Sequence, residues 1–316
     1  MSMSEAEQIP LTVIGGFLGA GKTTYLNALI KRGLPANALL VVNDFGDINI
    51  DAELIEYRDD NIMQLSNGCV CCTLGGTLAE QLAAALRLRS KPSVIIIEAS
   101  GVANPARIAD IARLSSRLRL AKMICIVDGT QVLSHAGDPL IGDTWRLQIE
   151  SARRIYINRL MASDKMAVLE LLTQINPDAR IEHTTLPLSS SGSAHSSAPS
   201  TDTGYDTPSS RTHANWHSFS LTGSTIIDKS RLEALLDTYR DVLKRAKGFV
   251  LVDSGSSAEL LQYSGGQVSW QPVLRAPDEN RLVFIGIAGA RFNALRHAAE
   301  LLIKPALFQS APSQQR

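Results

Sequence analysis

The chain has 316 residues, 45% of them hydrophobic and 20% charged, so it is long enough to bury a full core in one large or two modest domains. Lysine plus arginine and aspartate plus glutamate number 31 each, a balance that excludes the bulk charge typical of proteins that bind nucleic acid or anionic membranes. The first ten residues lack the pattern of a secretion signal, and no apolar run approaches the ~20 residues of a membrane span. We therefore expect a cytoplasmic globular protein with neither nucleic acid nor a membrane as partner.

Apolar stretches alternate with helix-like segments through the first 183 residues. Apolar, often β-branched runs predict strands over 9–15, 39–42, 94–97, 123–127, 154–157 and 180–183. Apolar residues at helical spacing predict helices over 22–32, 77–89, 108–118 and 165–175. Strands that alternate with helices indicate the α/β class, here a doubly wound and mainly parallel sheet.

A segment rich in Ser, Thr, Gly and Pro, residues 189–215, has the composition of a flexible linker. It divides the chain into a first domain of residues 1–188 and a second, smaller α+β domain of residues 216–316. The second domain is predicted to contain strands at 216–221, 249–252 and 282–287 and helices at 229–245 and 291–303. The basic residues at 244–247 are interpreted as the last turn of the first of these helices.

A phosphate-binding loop is predicted at residues 16–23, whose sequence GFLGAGKT fits the pattern G-x-x-x-x-G-K-[ST] between a strand and a helix. Glycines let backbone N–H groups converge on phosphate oxygens, Lys22 reaches the β and γ phosphates, and the Thr23 hydroxyl ligates Mg²⁺. The alternative is a glycine-rich structural turn. The residues predicted to bind nucleotide are Gly16, Gly19, Ala20, Gly21, Lys22, Thr23 and Thr24.

Acidic residues follow two of the predicted strands. Glu98 directly follows the strand 94–97, where a phosphate-loop protein usually places the carboxylate that holds Mg²⁺ or its water; a solvated charge is the alternative. Asp44 and Asp47 follow the strand 39–42 on a segment that could reach the γ phosphate or a second metal, although such residues also form simple turns.

Three of the four cysteines, Cys69, Cys71 and Cys72, fall in one C-x-C-C stretch. Thiolates this close can share a soft or borderline cation, most commonly Zn²⁺, with Co²⁺ and Ni²⁺ also possible. Because the stretch does not supply a full tetrahedral set, a carboxylate, histidine, water or nucleotide oxygen would complete an open site suited to metal transfer. Redox chemistry or a structural role is the alternative.

Taken together, these motifs resemble the CobW-like family of P-loop GTPases, relatives of UreG and HypB that act as metal chaperones or insertases. The resemblance rests on residues 15–24 for the phosphate loop, 67–74 for the metal motif and 98–101, Glu-Ala-Ser-Gly, for the acidic motif. Three further segments are similar to family landmarks, namely 43–51 (the first switch, with Asp44 where Glu is usual), 176–179 and, in the C-terminal domain, 245–248.

The resemblance implies a nucleotide-hydrolysing metallochaperone of low turnover that uses GTP or another NTP with Mg²⁺. It implies catalytic roles for Lys22, Asp44 and Glu98, and a nucleotide contact at Gly101. A transition metal, Zn²⁺ or Co²⁺, would bind at Cys69, Cys71 and Cys72 for delivery to a client metalloprotein, with a homodimer as a possible assembly.

The chain departs from the family at the guanine-reading motif Asn-Lys-x-Asp, which should follow the strand 154–157. Asn158 can still meet the base edge and Arg159 can stack on it, but Met161 cannot accept the hydrogen bonds that guanine donates from N1–H and N2–H₂. Asp164 is a possible substitute that we do not favour. The preference between GTP and ATP is therefore open.

The linker is a second departure, because many relatives carry a histidine-rich stretch near it. Here it is Ser-rich, and we interpret the histidines in and around it as solvated or structural; they are His183, His195, His213 and His217. Two other functions stay open. One is a regulatory module that senses nucleotide and metal with negligible turnover. The other is a small-molecule kinase, which would give the C-x-C-C stretch no role.

Overall fold

The computed structural model describes seven stretches of the chain, which form two compact units divided between residues 183 and 215. The described stretches are 8–43, 62–65, 76–87, 91–183, 215–252, 258–273 and 277–303. The linker up to Ala214, the catalytic candidate Asp44 and the cysteines of the C-x-C-C stretch lie outside them. The domain boundaries given above therefore stay a prediction.

The first unit alternates strands with helices. Its strands are β1 (Ile9–Gly15), β2 (Ala38–Asn43), β3 (Ile62–Leu65), β4 (Val94–Glu98), β5 (Leu118–Asp128), β6 (Arg154–Asn158) and β7 (Arg180–His183). Its helices are α1 (Lys22–Lys31), α2 (Gly76–Ala85), α3 (Pro105–Leu114), α4 (Val132–Gly137), α5 (Gly142–Glu150) and α6 (Lys165–Ile175).

The described strands of this unit form one sheet in the order β3-β2-β4-β1-β5-β6-β7, and every pair of neighbours is parallel. From β1 the chain first builds one side of the sheet and then, from β5 onward, the other. The strand order therefore reverses beside β1, and this is where open α/β sheets bind ligands, outside the carboxyl ends of the strands.

Helices cover both faces of this sheet. Successive side chains of a strand point to opposite faces, so one strand contributes to the core on each side. Leu11 and Val13 of β1 belong to one buried cluster together with Ile108 of α3. Ile14 of β1 belongs to a second cluster together with Leu26 of α1. Helices on both faces make the sheet doubly wound, which confirms the predicted fold class.

The second unit is built around an antiparallel sheet. Its elements are β8 (Trp216–Gly223), α7 (Lys229–Thr238), β9 (Leu243–Leu251), β10 (Ala258–Ser264), β11 (Gln267–Pro272), β12 (Asn280–Ile287) and α8 (Ala290–Ile303). The strand order is β11-β10-β9-β12-β8. One apolar core joins the sheet to both helices, with Phe284 of β12, Leu236 of α7 and Leu295 of α8 all buried in it. A smaller α+β second domain is thus confirmed.

Two predicted helices extend into residues that belong to strands. Helix α3 ends at Leu114 because Ser115 is extended, and Leu118 already pairs with Ile9 in the sheet. Helix α7 ends at Thr238, so residues 244–247 belong to strand β9 and their interpretation as a basic helical turn is wrong. In both cases the pairing of a strand with its neighbours overrides a local helical pattern.

Short or amphipathic elements escaped prediction altogether, namely β3, β10, β11, α4 and α5. Of the helices in the described residues, none is long and apolar enough to span a membrane.

Candidate functional site

The phosphate loop, residues 16–21, joins the end of the central strand β1 to the start of α1. Gly16, Gly19 and Gly21 have φ values of 135°, 75° and 92°, a region that residues with a Cβ adopt only under strain. Gly21 caps α1, so the first backbone N–H groups of the helix face the loop. A helix N-terminus behind a glycine loop is a ready anion site.

Lys22, the first residue of α1, adds a full positive charge to this anion site. Its side chain is 5% exposed, and Nζ donates hydrogen bonds to the carbonyl oxygens of Gly16, at 2.9 Å, and Phe17, at 3.2 Å. A cation at a helix N-terminus opposes the helix dipole unless an anion shares the site. Lys22 therefore fits a loop built to receive phosphate.

Thr23 and Glu98 meet next to Lys22 although 75 positions separate them in the sequence. The Thr23 hydroxyl donates to Glu98 Oε1 at 2.9 Å. Glu98 ends β4, pairs with Ile14 of β1 and is 2% exposed. A carboxylate this buried calls for a strong partner, and a hydroxyl beside a carboxylate provides the oxygen ligands that Mg²⁺ prefers. The pair therefore fits Mg²⁺, which these two side chains would hold.

The segment that follows Glu98 lies directly on the phosphate loop. A Cβ atom placed on Gly101 would lie 2.5 Å from Leu18 Cδ2 and 2.9 Å from the Leu18 backbone nitrogen. Only glycine permits this approach, which is a packing reason for the predicted Gly101. The acidic segment and the phosphate loop therefore form one packed unit.

Gln148 of α5 is hydrogen-bonded to the backbone of this acidic segment. Its side chain is 1% exposed, and Nε2 donates to the carbonyl oxygens of Gly101, at 2.8 Å, and Ala103, at 3.2 Å. Sequence reasoning missed Gln148, because α5 itself was not predicted and a lone glutamine carries no motif. Only the fold shows that it braces the segment beside Glu98.

Aromatic rings connect the same helices to the phosphate loop. The ring of Phe17 meets that of His135 on α4 edge to face, with centroids 5.0 Å apart. His135 in turn lies 6.3 Å from the ring of Trp145 on α5. Edge-to-face aromatic pairs of this kind add stability beyond area burial. The α4–α5 pair thus packs against both the phosphate loop and the acidic segment.

On the opposite side of β1, the residues at the end of β6 contact the phosphate loop. The buried Asn158 donates from Nδ2 to the Ala20 carbonyl oxygen at 2.7 Å. Arg159 donates from Nη2 to the Gly19 carbonyl oxygen at 2.6 Å. The structure thus brings both predicted base-side residues against the loop.

Asp128, the last residue of β5, holds Arg159 in place. Its Oδ2 lies 2.9 Å from Arg159 Nη2, and its Oδ1 accepts from the backbone N and the hydroxyl of Thr130, at 3.1 and 2.7 Å. Sequence reasoning missed Asp128, although an acidic residue directly after a buried apolar run was the signal that found Glu98.

Met161 and Asp164 complete this flank. The Met161 side chain is 57% exposed. Asp164 precedes α6, and its Oδ1 accepts a hydrogen bond from the Ser163 hydroxyl at 3.0 Å. Thr24, the remaining loop candidate, is exposed on the first turn of α1.

Of the four cysteines considered as metal ligands or thiols, the structure describes one. No group of three or more His, Cys, Asp or Glu residues suited to a metal occurs within the described part of the chain, and the C-x-C-C stretch lies outside it. The fourth cysteine, Cys125, is buried on β5, and burial raises the pKa of its thiol to about 12. It therefore stays protonated at neutral pH, whereas a metal ligand must be a thiolate.

Two family models match the chain, one in each of its two units. Residues 10–183 match the family model "CobW/HypB/UreG, nucleotide-binding domain", and residues 216–300 match "Cobalamin synthesis protein cobW C-terminal domain". The two matches correspond to the parallel and the antiparallel unit.

Curated relatives include zinc-handling proteins. "Zinc-regulated GTPase metalloprotein activator 1" of Dictyostelium discoideum is 28% identical over 220 residues, and the match covers 57% of this chain and 46% of the relative. "Zinc chaperone YjiA" of Escherichia coli is 29% identical over 182 residues, 55% of this chain and 56% of the relative. The chain thus spans about half the length of these relatives.

Among solved structures, the Zn(II)-bound YjiA GTPase of Escherichia coli matches at 20% identity and a TM-score of 0.41, covering 93% of this chain and 99% of that one. The family models alone cover more than half of the chain. The chain accordingly belongs to the CobW/HypB/UreG family of nucleotide-binding proteins.

Proposed function

We propose that this chain is a nucleotide-hydrolysing metallochaperone. It hydrolyses an NTP, with GTP as a substrate, carries a transition metal at its C-x-C-C stretch and delivers that metal to a client metalloprotein in the cytoplasm. The observation that carries the nucleotide half is the meeting of Lys22, Thr23 and Glu98 at the end of the glycine loop.

Each of these three residues has a distinct task in hydrolysis. The attacking water forms a bond to the γ phosphorus while the bond to the bridging β–γ oxygen breaks, which leaves NDP and inorganic phosphate. Lys22 neutralises charge on the transferring phosphoryl group, and the loop N–H groups orient it. Thr23 and Glu98 would hold the Mg²⁺ ion, which supplies further positive charge to the phosphate oxygens. Asp44 is proposed as a contact of the first switch.

The metal half rests on Cys69, Cys71 and Cys72 and on the family. Two relatives are named for zinc, and Zn²⁺ or Co²⁺ suits a site of two or three thiolates with an open position. Hydrolysis would then change the switch segments and, through them, the affinity for metal or client. A homodimer is the assembly we propose for this cycle.

The test is a binding titration of GTP and ATP, each with and without Zn²⁺ and with and without Co²⁺, followed by phosphate release. The proposal predicts Mg²⁺-dependent nucleotide binding, measurable hydrolysis and metal binding that responds to the nucleotide state. The double variant Cys71→Ser, Cys72→Ser should lose metal affinity by at least about tenfold, since a ligand set is lost. Cys125→Ala is the matched control and should bind metal as the unaltered chain does.

The two halves can fail separately. Unchanged Zn²⁺ and Co²⁺ affinity in the double variant would remove the metal half while leaving the nucleotide half intact. Tight nucleotide binding with no turnover of GTP or ATP would instead indicate a sensing module and would remove the hydrolase.

A further inference from the structure

The strand order separates the residues on the two sides of the phosphate loop. Glu98 ends β4 on one side of β1, whereas Asp128 and Asn158 end β5 and β6 on the other side. Because Lys22, Thr23 and Glu98 would receive the terminal phosphates and Mg²⁺ beside β4, the nucleoside would lie on the other side of the loop, towards β5 and β6. This step rests on the proposed function.

Arg159 presents a flat, fixed surface on that nucleoside side. One nitrogen, Nη2, contacts both the Gly19 carbonyl oxygen and Asp128 Oδ2, while the side chain as a whole is 55% exposed. A guanidinium held this way offers a planar face for stacking. Stacking accepts any base, because every base has a π face.

Selecting guanine requires more than a stacking surface. Guanine donates hydrogen bonds from N1–H and N2–H₂, whereas adenine has no N1–H and no 2-amino group. A site that rejects adenine therefore needs a strong acceptor facing that edge, which in proteins is usually a carboxylate.

The carboxylates described on this flank already have partners. Asp128 accepts from Thr130 and pairs with Arg159, and Asp164 accepts from Ser163. Met161, two positions after Arg159, is 57% exposed, and its thioether is only a weak acceptor.

We propose that the nucleoside end of this site does not select guanine. Purine nucleoside triphosphates, ATP as well as GTP, bind by stacking on Arg159, and Met161 is the residue that sets this breadth. The inference does not change the requirement for a triphosphate and Mg²⁺ at the phosphate loop.

The test compares the unaltered chain with Met161→Asp and with Met161→Leu as the matched apolar control. Direct calorimetric titration with GTP, ATP and ITP, all with Mg²⁺, measures each affinity. For the unaltered chain and Met161→Leu, we expect GTP and ATP affinities within about tenfold of each other, well short of the ~10⁴ reached by sites built to hydrogen-bond a substrate group.

Met161→Asp should raise the GTP-to-ATP affinity ratio by at least about tenfold, the size of one good base-edge contact. ITP should gain less than GTP, because inosine keeps N1–H but lacks the 2-amino group. The position is exposed, and the new carboxylate lies near the N-terminus of α6, so the variant should fold; its thermal melt checks this.

Two results would overturn the inference. One is a preference of more than about tenfold for GTP over ATP in the unaltered chain, because stacking alone accepts either base. The other is an unchanged ratio in a folded Met161→Asp variant. Both leave the proposed function standing, whereas failure of the unaltered chain to bind either nucleotide would overturn the proposed function and this inference with it.

Discussion

The two flanks of the phosphate loop are built differently. On the β4 flank, Glu98 and Gln148 are almost fully buried and are hydrogen-bonded across the fold to Thr23 and Gly101. On the β6 flank, polar contacts also reach the loop, but the flank ends in the largely exposed Met161. The β4 flank is thus enclosed, whereas the β6 flank ends at an exposed side chain.

The two flanks differ although each begins at a strand that ends in a carboxylate next to β1. Glu98 and Asp128 each end a strand that pairs directly with β1. Glu98 meets the Thr23 hydroxyl, whereas Asp128 meets Thr130 and Arg159. A strand-end carboxylate can therefore contact a hydroxyl beside the phosphate loop or hold a neighbouring arginine, depending on which residues the fold places against it.

The largest difference between the two flanks is expected from the variant Glu98→Gln. The amide keeps the size of the side chain but removes the negative charge that would hold Mg²⁺, so we expect phosphate release to fall by about 100-fold or more, as when one preorganised charged contact is lost. Single-turnover phosphate release at saturating NTP and Mg²⁺ measures the effect. The exposed Asp110→Asn is the matched control. A loss below about threefold would show that the β4 flank does not carry the chemistry.

The second prediction tests the brace behind Glu98. Gln148→Leu leaves the Gly101 and Ala103 carbonyl oxygens without the Nε2 donor, and we expect the free energy of unfolding to drop by about 1–3 kcal/mol. Hydrolysis should slow as well, with KM for the nucleotide nearly unchanged, because the variant disturbs the segment beside Glu98 and leaves the loop glycines intact. Urea unfolding and steady-state kinetics measure the two effects, and Gln174→Leu on the exposed face of α6 is the control.

If the free energy of unfolding of Gln148→Leu drops as predicted but its turnover is unchanged, the residue has a structural role only. The β4 flank would then tolerate movement, and the contrast with the β6 flank would be weaker than we infer.

The smallest effect is expected on the β6 flank, from Asp128→Asn. Because Arg159 is about half exposed, its ion pair with Asp128 is worth only about 1 kcal/mol, or roughly fivefold in affinity. Since the pair positions a stacking surface, GTP and ATP should weaken by the same factor, measured by the same titration as above. The exposed Asp178→Asn serves as control. A loss confined to GTP would mean that Asp128 reads the base, which contradicts the open flank.

Much of the first unit is predictable from local pattern. Strand β1, the glycine loop and helix α1 are consecutive, and Glu98 ends an apolar run, so these elements could be predicted from neighbouring residues. The predicted helix over 229–245 was wrong in its last part because the pairing of β9 with β10 and β12 depends on residues far along the chain. Asp128 follows a buried apolar run, as Glu98 does, and could have been predicted in the same way, whereas no local pattern marks Gln148.

By itself, then, the sequence determined the fold class, the phosphate loop and the strand-end carboxylate, because each depends on short-range spacing and on the alternation of apolar runs. Only the tertiary structure decided what surrounds them. The Thr23–Glu98 and Gln148–Gly101 contacts join residues 75 and 47 positions apart, and the Asp128–Arg159 pair forms because parallel strands bring their carboxyl ends to one edge. Such contacts depend on strand order and register, which local patterns do not encode.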